Sequence, residues 1–477
     1  MSAPNPDCPG CQMLLARVAE LEARQAELET VLAKLQARLN QNSSNSSRPP
    51  SSDMPSGRKP APTGSPSGRK PGGQPGHKGA FRPFKPMEAA DEIVAQIPLV
   101  CAHCRAPLPP EIDLDGPVRR HQVIDLAPKL TTTTEYQLHL RTCPQCGGQT
   151  QAALPEGVPA GVVAPRLQAF CALLTGRFHL SRRSVTELLS TVFGEEIALG
   201  TVSSLEAATA RALSAAYDEA ARAVAEAEAV NVDETPWREG KRKAWLWVGV
   251  TPSITCFRID PSRSRAALEK LVPPTEADTP RTVTSDRFSV YQHFSGDAWQ
   301  ICWSHLNRDF TALAEMKAET PRQIGEAALA ESEVLFDLWH GYKRGEIDRA
   351  TLREEMRPVQ ERFQEVLKRA QESEHWRATP LGWHLLGHFD SLWTFVRREG
   401  VEPTNNAAER AIRPAVLWRK SSFGTQSEQG RTFTERLLTV VTSLRSQGRD
   451  VLEYLEAAIR AAGVGGEAPS LALIGTG

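Results

Sequence analysis

The sequence predicts a multidomain α/β chain, and three observations carry that expectation. Short β-rich runs recur between residues 229 and 305, two of them closing on an aspartate. Helical patterns flank these runs on both sides, and six of the nine cysteines fall in CxxC pairs. With 477 residues the chain is long enough for three or so domains of about 100–200 residues each.

Composition narrows the classes of function. A hydrophobic content of 40% supports real cores, and a net charge of −1 announces no nucleic-acid partner globally. Any such surface must come from local clustering. No run approaches 18 apolar residues, so a membrane-spanning helix is excluded, and "MSAPNPDCPG" lacks the basic and apolar regions of a signal peptide. CxxC pairs suit a reducing cytoplasm and metal binding better than a disulfide framework, so a soluble cytoplasmic protein is expected.

Residues 1–40 form the first segment. Leu14, Leu21, Leu28 and Leu35 recur every seven residues, with Val18, Gln25, Leu32 and Leu39 at the alternate seam positions. This predicts a coiled coil over residues 11–39 and a homo-oligomer, at least a dimer, with Arg17–Glu22 and Arg24–Glu29 at interchain spacing. Residues 41–90 are rich in Ser, Pro and Gly and repeat "PSGRKP" at 55–60 and 66–71. Such a composition cannot bury a core. Between Arg48 and Lys85 it carries eight Lys/Arg against one acid, Asp53, which reads either as a solvated linker or as a basic tether touching DNA phosphates.

Residues 91–155 hold "CAHC" at 101–104 and "CPQC" at 143–146, the second following the strand-like run "TTTTEYQLHLRTC". Each CxxC turn supplies two thiolates, so Cys101, Cys104, Cys143 and Cys146 predict a structural Zn²⁺ in a zinc ribbon-like module. Cys8 and Cys11 form a further pair beside the coiled coil, read as unliganded or as a metal clip across a dimer. Residues 156–228 are helical. Within them "SVTELLSTVFGEEIALGTVSSLEAA" reads as helix, Gly turn, helix, preceded by Arg177, His179, Arg182 and Arg183; this fits either a helix-turn-helix or an ordinary helical hairpin.

The stretch "AVNVDETPWREG", residues 229–240, reads as a strand that ends near Asp233, because Thr-Pro should break it. "KAWLWVGV" and "ITCFRID" follow as two more strands, then the helix "SRAALEKLVP". "RTVTSD" gives a fourth strand ending at Asp286, and "WQICWSH" a fifth with His305 at its exit. Three strands, a helix and two strands are the start of an RNase H-like fold, in which the first and fourth strands lie side by side and acids 233 and 286 converge. Residues 229–310 are thus the first part of such a core, 311–400 a charged helical insertion anchored by Trp339, Trp376, Trp383 and Trp393, and 401–477 the second part with C-terminal helices. In "EGVEPTNNAAERAIRPAVLWRK", Thr404 or Asn405 should cap a helix that Pro414 ends or kinks. Glu409 falls one turn in, amid Arg410, Arg413, Arg419 and Lys420. Glu399 and Glu402 lie nearby but in the connection, so Glu409 is the better-held acid.

"NVDET", "SDRFSVY", "CWSHLNRDF" and "NNAAERAIRP…RK" together resemble the catalytic segments of the insertion-sequence-66 family of bacterial DDE transposases. The "GGQPGHKGA" tail, the CxxC pairs and the N-terminal heptads resemble the same family in the same order, so the resemblance spans nearly the whole chain. It departs at Arg-Phe after Asp286 and at "SSFGTQSEQG". The resemblance implies a catalytic triad of Asp233, Asp286 and Glu409, separated by 53 and 123 residues. It further implies two Mg²⁺ (or Mn²⁺) ions, cleavage of transposon-end DNA with strand transfer to target DNA, and small accessory transposition proteins as partners. The protein would associate with the nucleoid when bound to double-stranded DNA. Arg182, Arg183, Arg410, Arg413, Arg419 and Lys420 are the expected DNA contacts, and His305 would orient an acid, touch the scissile strand or simply be buried. Two other classes remain at this stage: a silent DNA-binding or scaffold protein derived from such an enzyme, and a nuclease on the same fold.

Overall fold

The computed structural model describes residues 85–108, 120–159, 161–275 and 281–472, apart from 95, 125 and 128, with scattered positions between 13 and 32. The chain forms two compact units, residues 58–135 and the remainder. In the smaller unit the first CxxC forms a tight turn. Cys101 N–H donates to Ala106 O at 2.8 Å, and Arg105 N–H donates back to Cys101 O at 3.0 Å. Arg105 takes the left-handed conformation with φ 65°.

In the larger unit the described positions between 13 and 32 are helical, with Val18, Leu21, Leu28 and Leu32 exposed. Leu14, Leu35 and Leu39 lie outside the described residues, as do Cys8, Cys11 and the basic tether up to residue 84. Strands β1 (Leu140–Thr142) and β2 (Gln149–Gln151) pair antiparallel around the second CxxC turn. The strand expected over the whole of "TTTTEYQLHLRTC" is therefore only three residues long.

Four helices follow: α1 (Pro165–Gly176), α2 (Arg182–Leu188), α3 (Leu199–Ala212) and α4 (Ser214–Glu226). Ser181 caps α2 by accepting the Ser184 N–H at 3.0 Å. A π turn, Leu189–Phe193, then ends at Gly194 with φ 70°. Cys171, Leu174, Val185, Leu189 and Val202 form one small core among α1, α2 and α3.

The central sheet comprises β3 (Ala229–Glu239), β4 (Arg242–Val250), β5 (Thr255–Asp260), β6 (Thr282–Ser285) and β7 (Trp299–Ile301), with α5 (Arg265–Glu269) between β5 and β6. Its order is β5-β4-β3-β6-β7, antiparallel on one side of β3 and parallel on the other. The first and fourth of these strands are neighbours, as the sequence order predicts. Asp233 does not mark the end of its strand, however. Parallel pairing with β6 stops at Asn231↔Thr284, while antiparallel pairing with β4 runs on to Glu239↔Arg242. Beyond Asn231 the β6 side is vacant of strand, so Pro236, which has no N–H to give, is tolerated there.

Side chains alternate across β3. On one face Trp237, with Leu246, Val248 and Phe257 of the neighbouring strands, packs against α11 (Asn406–Ser422) and α12 (Glu428–Ser446) through Ala408, Ile412, Ala415 and Leu438. On the other, Val230 and Val232 join Val224, Leu268 and Tyr291 in the main core. Between sheet and α11 the chain is helical: α6 (Trp303–Ala314), α7 (Glu319–Lys343), α8 (Arg349–Glu372), α9 (Ala378–Gly387) and α10 (Thr394–Arg397); α13 (Val451–Val464) follows α12. Of the four expected tryptophan anchors, Trp339 and Trp393 are buried (7% and 1% exposed) but Trp376 and Trp383 are not (76% and 63%). Pro414 does not end its helix, which continues to Ser422.

The edge strand β5 is covered by a polar ladder. Ser443 Oγ, Thr439 Oγ1 and Glu435 Oε1 of α12 accept the N–H groups of Thr255, Phe257 and Ile259 at 2.9, 2.9 and 2.6 Å. Four helical residues rise about 6 Å and two strand residues about 6.8 Å, so the two periods match over this length. The ladder both blocks edge-to-edge pairing and fixes α12 on the sheet. Thr439→Val keeps the shape but leaves the buried Phe257 N–H unpaired, and should cost about 1–3 kcal/mol in denaturant unfolding. Thr439→Ser should cost less, and equal stability of the Val variant would show that the ladder is not structural.

Candidate active site

Asp286 is the first residue after β6. Its Oδ1 accepts the Phe288 N–H at 2.9 Å, which turns the chain away from the sheet. Ser285 Oγ accepts from Trp299 Nε1 at 2.9 Å, and Ser285 O accepts the Cys302 N–H at 2.9 Å, so both neighbouring segments hold this strand end. Asp233 stands on the adjacent strand, just past the last β3–β6 pair. In an open sheet, the crevice beyond the carboxyl ends of parallel strands, where strand order reverses, is the usual ligand site.

Glu409 comes from α11, and its placement depends on the turn before that helix. Asn405 is buried. Its Nδ2 donates to Val232 O of β3 at 2.7 Å, and its backbone N–H donates to Cys302 Sγ at 3.1 Å. Asn231 Nδ2 reaches Thr404 O at 3.2 Å, and Trp303 N–H reaches Pro403 O at 2.9 Å. Asn405 thus precedes α11 as expected, but its side chain makes no cap bond and serves as a strut to the sheet. Glu409 N–H bonds Asn405 O at 3.2 Å, which puts its carboxyl one turn into the helix.

The electrostatics bind the three acids into one site. Burial is the largest cause holding the Asp233 carboxyl well above its ordinary range; Glu234, Asp286 and Glu409 add to it. Burial raises Asp286 too, partly offset by the Phe288 N–H and by Arg263, Arg287 and Arg308. Glu409 is raised by burial and by Asp286, against Arg308 and Arg410. Three carboxyls that oppose one another's ionisation form a donor set that a divalent cation would relieve.

His305 is not at a strand exit. β7 ends at Ile301, and His305 lies in the first turn of α6, its Nδ1 3.5 Å from Glu409 Oε1. Burial lowers its pKa to about 4, with Arg308 contributing, so the ring is neutral at physiological pH. Arg308, one turn further on the same helix face, places Nη2 3.6 Å from Glu409 Oε1. The sequence does not point to Arg308 while "WQICWSH" reads as a strand with His305 at its exit. As a helix, the i, i+3 spacing of His305 and Arg308 would have shown it.

A second missed group flanks the acids on the opposite face of β3. Buried Glu234 accepts Arg263 Nε at 2.8 Å and Nη2 at 2.5 Å, and the Tyr291 hydroxyl donates to its other oxygen. Arg263 also lies over the Phe288 ring, 3.5 Å from the centroid. This network fixes the loop after Asp286 from below.

The cations expected around Glu409 are distributed otherwise. Arg419 turns to β3 instead, donating to Thr235 Oγ1 at 3.0 Å and to Pro236 O. Arg413 and Lys420 are exposed, and Arg410 faces a cleft of about 1150 Å³ together with Glu399, Glu402 and Arg349. Glu402 pairs with Lys343 at 3.1 Å, and Glu399 is exposed. Arg182 is tied to buried Glu206 at 2.5 Å, and both Arg182 and Arg183 are exposed. The departing segment "SSFGTQSEQG" docks on β3: Thr425 N–H donates to Arg238 O at 2.9 Å. Gly424 is required there, with φ +99° and the Arg238 carbonyl 2.4 Å from where a Cβ would stand.

The CxxC turns are chemically alike. Backbone N–H groups of Cys104 and His103 lower the Cys101 thiol, and those of Cys146 and Gln145 lower Cys143, which favours thiolate in each turn.

A mixed α/β domain built on this five-stranded sheet agrees with what sequence comparison finds. Residues 160–432 match the profile of the Transposase IS66 family, and the chain belongs to that family. Residues 4–83 match a family of unknown function, DUF6444. The uncharacterized protein y4qI of Sinorhizobium fredii is 24% identical over 270 residues, which are 49% of this chain and 47% of that protein. The chain thus spans about half the length of that relative. Among the described residues no helix is long and apolar enough to cross a membrane.

The raised carboxyl of Asp233 has a thermodynamic consequence. A folded-state pKa above the unfolded value gives stability that is present at low pH and lost as pH rises through the folded value. Asp233→Asn should therefore raise the melting temperature of metal-free protein at pH 8, with the gain vanishing below about pH 3, where both states are protonated. Mg²⁺ should raise the wild-type value and narrow the gap. A variant less stable than wild type across this range would contradict the electrostatic account.

Proposed function

We propose that the protein is a DDE transposase that cleaves transposon-end DNA and transfers the freed strand to target DNA. The observation that supports this reading most is that Asp286 and Glu409 both raise the Asp233 carboxyl, with Asp233 on β3 and Asp286 directly after the parallel neighbour β6. The strand order β5-β4-β3-β6-β7 suits an RNase H-like core, and the family membership supports a transposase.

The three carboxylates would hold Mg²⁺ or Mn²⁺, whose all-oxygen preference suits them. When bound, such ions activate water and then a 3′-hydroxyl, and stabilise the departing oxygen. The chain's own part is positional. β6 and β3 set the two aspartates on a rigid sheet, and Asn405 ties the Glu409 helix to that sheet. Neutral His305 and cationic Arg308 flank Glu409; Arg308 offsets its charge and would meet a scissile phosphate. Exposed Arg182, Arg183, Arg410, Arg413 and Lys420 would contact DNA backbone, while Arg419 acts inside the fold. In this reading residues 11–39 pair two copies, and the helical region from Pro165 to Ala212 contributes to end binding as a helix-turn-helix.

Glu409→Gln should lower Mg²⁺-dependent cleavage of transposon-end DNA by at least about 100-fold, with DNA binding and melting temperature retained. Glu399→Gln and Glu402→Gln should keep most activity. Cleavage by the Glu409 variant, together with its loss in Glu402→Gln, would move the third acid to the cleft and overturn the assignment.

A further inference from the structure

Beside the three acids lies a different set of donors. Cys302 immediately precedes α6, His305 sits in the first turn of that helix, and Glu409 sits in the first turn of α11. One ligand atom from each lies within 4.8 Å of the others. Ser304 Oγ and Asn406 Oδ1, 3.2 Å apart, join the same two helix starts, so the set rests on rigid elements.

Two of these atoms make no hydrogen bond, although Arg308 Nη2 stands 3.6 Å from the glutamate oxygen. His305 Nδ1 and Glu409 Oε1 are both buried and neither makes a hydrogen bond, although they are 3.5 Å apart. Buried polar atoms are nearly always satisfied, so two orphans facing one another call for a ligand. Around a tetrahedral ion with bonds of about 2.0–2.3 Å, neighbouring donor atoms stand roughly 3.3–3.6 Å apart. The histidine–glutamate pair already has that separation. Cys302 Sγ accepts the Asn405 N–H at 3.1 Å, the kind of outer bond that steadies a metal-bound thiolate. Sulfur, imidazole and one carboxylate select a borderline-soft ion such as Zn²⁺ and discriminate against Mg²⁺.

We propose that Cys302, His305 and Glu409 form a Zn²⁺-binding site that shares Glu409 with the catalytic centre, so that Zn²⁺ withdraws this carboxylate and inhibits DNA cleavage. Binding follows from the donor set alone; inhibition rests additionally on the catalytic reading of Glu409. Partial exposure of the His305 and Glu409 side chains, 28% and 31%, leaves the site open to solvent on one side.

Cys302→Ser separates the claims. Serine keeps an acceptor for the Asn405 N–H and removes only the soft ligand. Full-length protein carrying its purified zinc is titrated with Co²⁺ and followed by the thiolate-to-cobalt charge-transfer absorption. Wild type should gain one equivalent that Cys302→Ser lacks, since the CxxC cysteines are common to both. Identical titrations would overturn the site, whatever the protein does to DNA. In cleavage assays at fixed Mg²⁺, with each protein read against its own rate without Zn²⁺, Cys302→Ser should need at least tenfold more Zn²⁺ for half-inhibition than wild type. Equal Zn²⁺ sensitivity of the two proteins would overturn the competition.

Discussion

The geometry of the acidic centre depends on one buried amide. β6 stops at Ser285, which leaves the carbonyl of Val232 on β3 without a strand neighbour past Asn231. Asn405 supplies the missing partner with its side chain, and with its backbone N–H it engages Cys302 at the head of α6. The two bonds lock the start of α11 to the sheet at the point where the aspartates emerge. A metal ligand must be held within a fraction of an ångström, and an exposed turn could not do this. The buried turn can.

Charge is arranged around the same point with separate layers. Asp233, Asp286 and Glu409 oppose one another on the site face, whereas Glu234, next in sequence to Asp233, points to the other face and is neutralised by Arg263 and Tyr291. Alternation along one strand thus gives adjacent acids opposite roles. The first is held above its ordinary range by burial and by neighbouring acids, and the second anchors the loop that follows Asp286. Arg308 is close enough to moderate Glu409 yet makes no hydrogen bond with it, which leaves that carboxylate free to coordinate.

Much of this was legible in the sequence, for identifiable reasons. Period-2 patterns gave the strands and their order, and that order makes residues 233 and 286 neighbours. Glu409 was separable from Glu399 and Glu402 because a helix holds a side chain better than a connection does. The errors share a cause: local signals were outvoted by tertiary partners. Thr-Pro reads as a strand end, but β4 continues alongside, so β3 runs on to Glu239. Trp303 and His305 read as strand, yet they lie in the first turn of α6, which buries Trp303, Leu306 and Phe310. Composition cannot tell Trp339 from Trp376, since only the packing of α7 and α8 decides which is covered. Long-range struts such as Asn405 to Val232 leave no local pattern at all.

The central claim is that Asp233, Asp286 and Glu409 hold metal together in the folded chain. Iron-directed hydroxyl-radical cleavage of the full-length protein tests it directly, with Fe²⁺ in place of Mg²⁺ and ascorbate with peroxide as reactants. The account predicts backbone cuts clustered near residues 233, 286 and 409, all suppressed together by excess Mg²⁺. Cuts near 233 and 286 with none near 409, or cuts around 399–402 in its place, would contradict it.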